Sequence, residues 1–315
     1  MRKIPIIMDC DPGHDDAIAL ILAFASERLD VRGVAATGGN QTVEKTLRNA
    51  RKVLSYIGAK PPLARGADKP MLRDLTTAAA VHGESGLDGP SIPETDYREG
   101  PLPAAEFMRE IILASPEPIT LVPTGPLTDI GVLLSAYPEV KRNIGGISLM
   151  GGAIDGGNWS AAAEFNILVD PEAADIVFSS GLPIVMCGLD VTHKAYITQA
   201  EADELRAFGG KVPVFVAELL DFFFKFHADQ GFPGSPLHDP CAVAYLIAPE
   251  IFQTREYYVR VETRGEFTTG ATVADKRGVL GMPPNVKACV GIDRQAFKRL
   301  LFDACKSYDS RGGAL

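Results

Sequence analysis

Short apolar runs alternate along the chain with longer segments of helical period. Residues 4–8 form an unbroken apolar run that reads as a buried strand, and 17–25 form a helix apolar almost all round. Residues 31–36 predict a second strand, followed by a helix over about 43–57 with Leu47, Val53 and Leu54 inward. The strand pattern returns at 119–122, 144–150 and 183–187, with helical stretches near 104–113, 127–135 and 172–180. Strands alternating with helices imply parallel βαβ units, and unbroken hydrophobicity suits strands buried on both faces. The expected fold class is therefore α/β: an open, mostly parallel central sheet with helices on both faces, Rossmann-like, with small additional antiparallel strands. Beyond Asp190 the pattern changes. Helices fill 198–230, another begins near Asp239, and 256–262, 268–273 and 287–292 suggest a later antiparallel set. Residues 68–102 form a long Pro/Gly-rich irregular stretch, the kind often used as a functional loop or lid. With no repeat, low-complexity tract or linker, residues 1–315 are expected to form a single domain.

Composition narrows the class of partner. The net charge is −9, and no dense Lys/Arg run occurs. Binding by phosphate neutralisation along a nucleic acid needs clustered basic side chains, so no nucleic-acid partner is expected, while a small neutral substrate remains open. The five cysteines (Cys10, Cys187, Cys241, Cys289, Cys305) are scattered and form no CxxC pair, which favours buried reduced thiols. The N-terminal MRKIPIIMDCD has too few apolar residues for a signal peptide, and no stretch is long enough to span a bilayer. A cytoplasmic location with no membrane partner is the expectation.

The polar residues gather where the strands end, which is where open α/β sheets bind ligands. The first strand runs into Asp9, Asp11, Pro12, Gly13, His14, Asp15 and Asp16; the second ends in Thr37-Gly-Gly-Asn40. Residues 119–122 lead to Pro123-Thr124-Gly125-Pro126, and 144–150 to Met150-Gly151-Gly152. Four aspartates within eight residues repel one another and would take up protons unless a cation offsets them. Hard cations such as Ca²⁺ take about six to eight oxygen ligands. The plainer alternative is that Asp15 and Asp16 favour a helix N-terminus and Asp9 caps a turn. Pro12 and the lack of a closing Glu exclude an EF-hand loop, so a metal would need ligands from elsewhere in the chain. His238-Asp239 and Glu164-Phe165-Asn166, the latter after Gly156-Gly157-Asn158, are candidates, although each also reads as ordinary loop or cap chemistry.

Taken together, these segments resemble the inosine-uridine preferring nucleoside hydrolase family. DCDPGHDDAIAL looks like its N-terminal signature, and the likeness continues through GGNQTVEKTLRN, VHGESGLDGP, TGPLTD, MGGAIDGGNWSAAAEFNILVDPEAA, GLDVTHKA and PLHDPCAVAYL, in the family's order. His14, HGESGLDGP and GNWSAAAEFN look most like the pyrimidine-specific ribonucleoside hydrolase branch. The resemblance implies hydrolysis of the N-glycosidic bond of ribonucleosides to base and ribose. It also implies a tightly bound Ca²⁺ and a homo-oligomer, dimer or tetramer. Carried onto this sequence, Asp11, Asp16, Asp239 and the Thr124 carbonyl would hold the metal, and Asp11 would activate a water on it. Asp15 and Asn40 would hold the 2′- and 3′-hydroxyls. Asn158, Glu164, Phe165 and Asn166 would contact the sugar, with Met150 beneath the ring. His82 and His238 would lie near the base. His238 would act as acid toward the leaving base, or orient Asp239 instead. Pyrimidine ribonucleosides (uridine, cytidine) would be favoured and purines possible, placing the chain in pyrimidine salvage. The segment before His238 departs from that branch. Here the aromatics at 222–224 and 226 read mostly as helix core, while His227 and Gln230 could face the base.

Two other readings compete. A haloacid-dehalogenase-type phosphohydrolase shares the Asp9-x-Asp11 spacing, but Pro12-Gly13 fits it poorly and no suitably placed Lys is found. A ribose or nucleoside sensor would use the same metal, but has no need of a carboxylate beside the water.

Overall fold

The computed structural model describes residues 2–311; residue 1 and residues 312–315, the extreme ends of the expected domain, lie outside the described residues. In chain order the first strands are β1 (Ile4–Cys10), β2 (Leu29–Ala36), β3 (Leu63–Arg65), β4 (Ile119–Pro123), β5 (Ile144–Met150) and β6 (Ile184–Cys187). They are followed by β7 (Tyr196–Ile197), β8 (Ser235–Pro236), β9 (Phe252–Tyr257), β10 (Val259–Val261), β11 (Thr272–Ala274) and β12 (Val286–Ile292). Eight of these build the central sheet in the order β3-β2-β1-β4-β5-β6-β12-β9. All pairings in it are parallel except that of the edge strand β9 with β12. The chain first winds outward from β1 through β2 to β3, then returns to lay β4 on the other side of β1. That reversal opens a crevice at the carboxyl ends of β1 and β4.

Helices cover both faces, as α1 (His14–Ala25), α2 (Val43–Tyr56), α3 (Ala79–His82), α4 (Ala104–Ala114), α5 (Thr128–Ala136) and α6 (Phe165–Val169), then α7 (Pro171–Phe178), α8 (Leu189–Thr192), α9 (Gln199–Ala207), α10 (Lys211–Asp229), α11 (Pro240–Ile247) and α12 (Arg294–Arg311). Alternation along β1 divides the core. Ile6, Met8 and Cys10 pack with α1, α2, α10, α11 and α12, whereas Ile7 packs with α4, α5 and α7. Such two-sided burial explains why the central strands carry unbroken apolar runs.

Helices fill most of 198–230 as expected, α9 and α10 being separated at Gly209 and Gly210, whose φ values of 70° and 81° lie in the left-handed region that only glycine adopts cheaply. One expectation is corrected by the packing. The late strands do not form one antiparallel set. Residues 287–292 belong to β12 in the central sheet, and 256–262 split between β9 and the small hairpin partner β10, which pairs with β11. Of the loop and cap alternatives for Glu164, the cap is the one found: its side chain caps the short helix α6. No helix among the described residues is long and apolar enough to cross a membrane.

Candidate active site

Asp11 follows the last residue of β1 and Thr124 the last residue of β4, which puts both in the crevice where strand order reverses. Asp11 is fully buried. Its Oδ2 accepts the backbone N–H of Asn40 at 2.6 Å, while Oδ1 has no partner among the described residues. Two glycines allow the backbone to close on this carboxylate. A Cβ on Gly39 would stand 2.1 Å from Asp11 Oδ2, and one on Gly125 would stand 2.6 Å from Oδ1. The Gly residues in Thr37-Gly-Gly-Asn40 and Thr124-Gly125 are thus needed for close approach rather than for turn geometry.

The first turn of α1 supplies the next two carboxylates. Asp16 Oδ2 accepts the Gly13 N–H at 3.1 Å and the Asn40 Nδ2–H at 3.2 Å, and its Oδ1 accepts the Thr124 hydroxyl at 2.8 Å. Asp16 therefore helps start the helix, as any first-turn acid would, and also ties the ends of β1, β2 and β4 together. Across the crevice, Asp239 precedes α11. Asp15, Asp16 and Asp239 bring carboxylate oxygens within 4.8 Å of one another. Asp15, rather than Asp11, completes this tightest group. Crowding and burial act together on the electrostatics. Burial, then Asp16, pushes Asp11 well above the usual carboxylate range, and the same two causes raise Asp15 to about 7. Burial, then Asp15, does the same to Asp239, and burial raises Asp16. No Lys or Arg is among the described residues lining the pocket, so no basic side chain in that lining offsets this charge. Buried, oxygen-only donors crowded in such a group, with no basic side chain in the lining, fit a hard divalent cation.

Behind Asp11 lies a pair that the sequence did not reveal. The Asp9 carboxyl has no conventional hydrogen-bond partner among the described residues and is raised well up by burial, then by Asp129. Asp129 on α5 is raised to about 6 by burial and accepts the Ala67 N–H at 3.0 Å. Burial and the neighbouring Asp129 thus favour the protonated form of Asp9.

The sugar-sized part of the pocket is built by the loop after β5. Met150 ends the strand; the Asn166 side chain donates to the Thr124 carbonyl at 2.7 Å and to the Met150 carbonyl at 3.2 Å. Glu164 accepts the backbone N–H groups of Gly152 at 2.9 Å, Asn166 at 2.9 Å and Ile167 at 3.2 Å. Burial nevertheless raises its carboxyl to about 7. Asn158 Oδ1 accepts the Phe165 N–H at 3.0 Å. The lining of this cavity, about 210 Å³, brings together Asp15, Asn40, His82, Thr124, Met150, Asn158, Glu164, Phe165, Asn166, His238 and Asp239. Of the residues expected from sequence, only Asp11 and Asp16 are not in its lining; both are wholly buried.

At the other end, all five histidines of the chain converge. His82, His193, His227 and His238 line the cavity, together with Phe223, Phe226, Gln230 and Phe232. His14 stands behind His82, its ring stacked on Phe222 at 4.8 Å. Burial pulls all five rings down, His14 and His227 to about 4 and His82 and His238 well below the usual value. Burial thus favours the neutral form of each ring. His238 Nδ1 lies 2.8 Å from the Thr192 hydroxyl. The aromatics of α10 are only partly core, since Phe223 and Phe226 also wall the cavity. His193 and Trp159 lie inside recognised segments but were not singled out. A polar residue breaking an apolar helix stripe, as His227 does, was the available signal for this wall.

A family model described as inosine-uridine preferring nucleoside hydrolase matches residues 6–299. The chain is 52% identical over 310 residues to the pyrimidine-specific ribonucleoside hydrolase RihA of Citrobacter koseri, covering 98% of this chain and 99% of that one. It is likewise 52% identical over 308 residues to the protein of the same description from Escherichia coli, covering 97% of this chain and 99% of that one. The solved structure of a purine-preferring ribonucleoside hydrolase from Gardnerella vaginalis matches with a TM-score of 0.90 at 31% identity, over 96% of this chain and 98% of that one.

Proposed function

The chain belongs to the inosine-uridine preferring nucleoside hydrolase family and is a ribonucleoside N-ribohydrolase; on that premise we propose that it prefers the pyrimidine ribonucleosides uridine and cytidine, with purine ribonucleosides as lesser substrates. The relatives at 52% identity are described as pyrimidine-specific, whereas the purine-preferring structure shares 31%. The same reading takes residues 1–315 as one domain that acts in the cytoplasm on a small molecule, without nucleic-acid or membrane partners, as a homodimer or homotetramer.

The observation that carries the mechanism is the asymmetry of Asp11. One oxygen is held by the Asn40 N–H and the other is buried without a partner among the described residues. A carboxylate fixed in this way has a lone pair free to take a proton from a water beside the anomeric carbon, which is the task of a general base. Asp15 and Asn40 would hold the 2′- and 3′-hydroxyls, and Asn158, Glu164 and Asn166 the rest of the sugar, with Met150 beneath the ring and Phe165 at its side. Holding the diol orients the anomeric carbon toward Asp11. It also selects against 2′-deoxyribosides, whose missing hydroxyl leaves buried polar groups unpaired. Departure of the base leaves an oxocarbenium-like sugar, which the surrounding carboxylates stabilise. His238, held at Nδ1 by Thr192, would protonate the leaving base from its imidazolium form, having first taken up a proton.

Asp11, Asp16, Asp239 and the Thr124 carbonyl would hold a Ca²⁺, the ion that an all-oxygen donor set suits. When bound, such an ion neutralises the crowded carboxylates and lowers the pKa of a water. Measuring ribose release from uridine, cytidine, inosine and adenosine tests the reading. Release fastest from the two pyrimidine ribonucleosides is expected, and release from none of the four would overturn it.

A further inference from the structure

The histidines at the base end are not interchangeable, because their partners fix which nitrogen carries hydrogen. His227 Nδ1 lies 2.9 Å from the backbone carbonyl of Phe223. A carbonyl only accepts, so Nδ1 is the N–H and Nε2 of the neutral ring is a lone pair. His14 Nε2 lies 2.7 Å from the Asp88 carbonyl, so Nε2–H donates there and His14 Nδ1 is left as a lone pair. That lone pair is 3.1 Å from His82 Nδ1, which must therefore carry hydrogen and donate to it. The backbone N–H of His14 also approaches His82 Nδ1, at 3.3 Å. Letting that longer contact decide would require either two facing lone pairs or a doubly protonated His14. The second places a cation on a ring with no exposure, stacked on Phe222. Asp88 offsets such a charge only in part, since burial still pulls His14 down to about 4; a buried cation costs far more than one long hydrogen bond, so the neutral relay prevails.

His82 and His227 thus share one polarity. Both line the cavity, they flank Phe223 with ring centroids at 5.4 and 4.4 Å, and neither Nε2 has a partner among the described residues. Resting on the hydrolase reading above, we propose that the Nε2 lone pairs of His82 and His227 read the N–H edge of the nucleobase, the N3–H of uracil or the 4-amino group of cytosine. His14 is a positioning residue in this arrangement: it touches no base, and it sets the tautomer of His82. An acceptor pair also leaves leaving-group protonation to another group, because neither ring offers a proton to the base.

The test has two arms that fail separately. In full-length protein labelled with ¹⁵N-histidine, long-range proton–nitrogen spectra distinguish the two nitrogens of each ring, with His82→Phe and His227→Phe supplying assignments. Hydrogen on Nδ1 and a bare Nε2 are expected for both rings. His14→Leu is expected to move His82 away from that tautomer, and His14→Gln, which can still donate to Asp88 and accept from His82, to restore it. Hydrogen on Nε2 of either ring, or a His82 tautomer indifferent to His14, overturns the proposal. The second arm compares uridine with 3-methyluridine, which lacks the N3–H. The wild-type enzyme is expected to disfavour the methylated nucleoside at least tenfold in kcat/KM, chiefly through KM, and the ratio should shrink in His227→Phe. An equal ratio in the two proteins shows bulk rather than hydrogen bonding and overturns the proposal. Should no ribonucleoside be turned over, the hydrolase reading fails while the spectra still decide the tautomers.

Discussion

The backbone N–H of Asn40 donates to Asp11 Oδ2 at 2.6 Å, and this bond determines which oxygen of Asp11 is left for chemistry. It also ties the end of β2 to the end of β1. The position of the base therefore depends on close backbone packing across the sheet, not on the Asp11 side chain alone.

That dependence is testable at glycine. A methyl group on Gly125 would lie 2.6 Å from Asp11 Oδ1, so Gly125→Ala must displace the carboxylate or the loop, at a cost of about 1–3 kcal/mol in stability. Turnover should fall at least tenfold, beyond what the change in melting temperature explains. Gly181→Ala is the control. Its φ of 78° makes the change strained, but nothing lies within 4 Å. It should cost about 1 kcal/mol and leave kcat intact. Unchanged kcat in Gly125→Ala would show that Asp11 tolerates movement.

Removing divalent ions should abolish activity and lower the melting temperature, because Asp15, Asp16 and Asp239 are left within 4.8 Å of one another without compensation. Calcium should restore both, in a concentration-dependent way, and better than zinc. Full activity after exhaustive chelation would remove the metal from the account.

His227 makes stability depend on acid. Its folded pKa is depressed from 6.5 to about 4 by burial. Between those values the unfolded chain binds a proton that the folded chain rejects. The contribution is therefore complete above about pH 6.5 and is lost as pH falls through 4, on the order of 3 kcal/mol for the whole shift. Denaturant melts from pH 7 to 4 should show a shallower loss in His227→Phe than in the wild type. Parallel curves would mean that His227 does not titrate as its burial implies.

His238 should matter in proportion to how poorly the base leaves. His238→Ala is expected to slow uridine at least a hundredfold and an activated nitrophenyl riboside far less, in keeping with the 10²–10⁴-fold typical of general acid catalysis. Thr192→Val, which removes the hydroxyl 2.8 Å from His238 Nδ1, should show the same pattern more weakly. Equal slowing of both substrates by His238→Ala would assign the residue to packing or to orienting Asp239.

Much of this site was readable before folding because strand ends are where apolar runs stop. The clusters at Asp9–Asp16, Thr37–Asn40 and Thr124 each follow such a run, and the sheet brings them together. Two features were not readable, for different reasons. The Asp9–Asp129 pair joins a strand to a distant helix, and no local pattern encodes that contact. Phe223, Phe226, His227 and Gln230 share one face of the end of α10 at helical spacing, which is also the pattern of a core stripe. Strand β9 was blurred into β10 because most of its residues are exposed at the sheet edge, which gave it no apolar run to read.

The central claim is that Asp11 takes the proton from the attacking water. The most direct measurement is single-turnover ribose release from uridine by Asp11→Asn, alongside uridine binding by calorimetry, with calcium present. Release should fall by at least a thousandfold while binding stays within about tenfold of the wild type. Release at the wild-type rate would contradict the assignment.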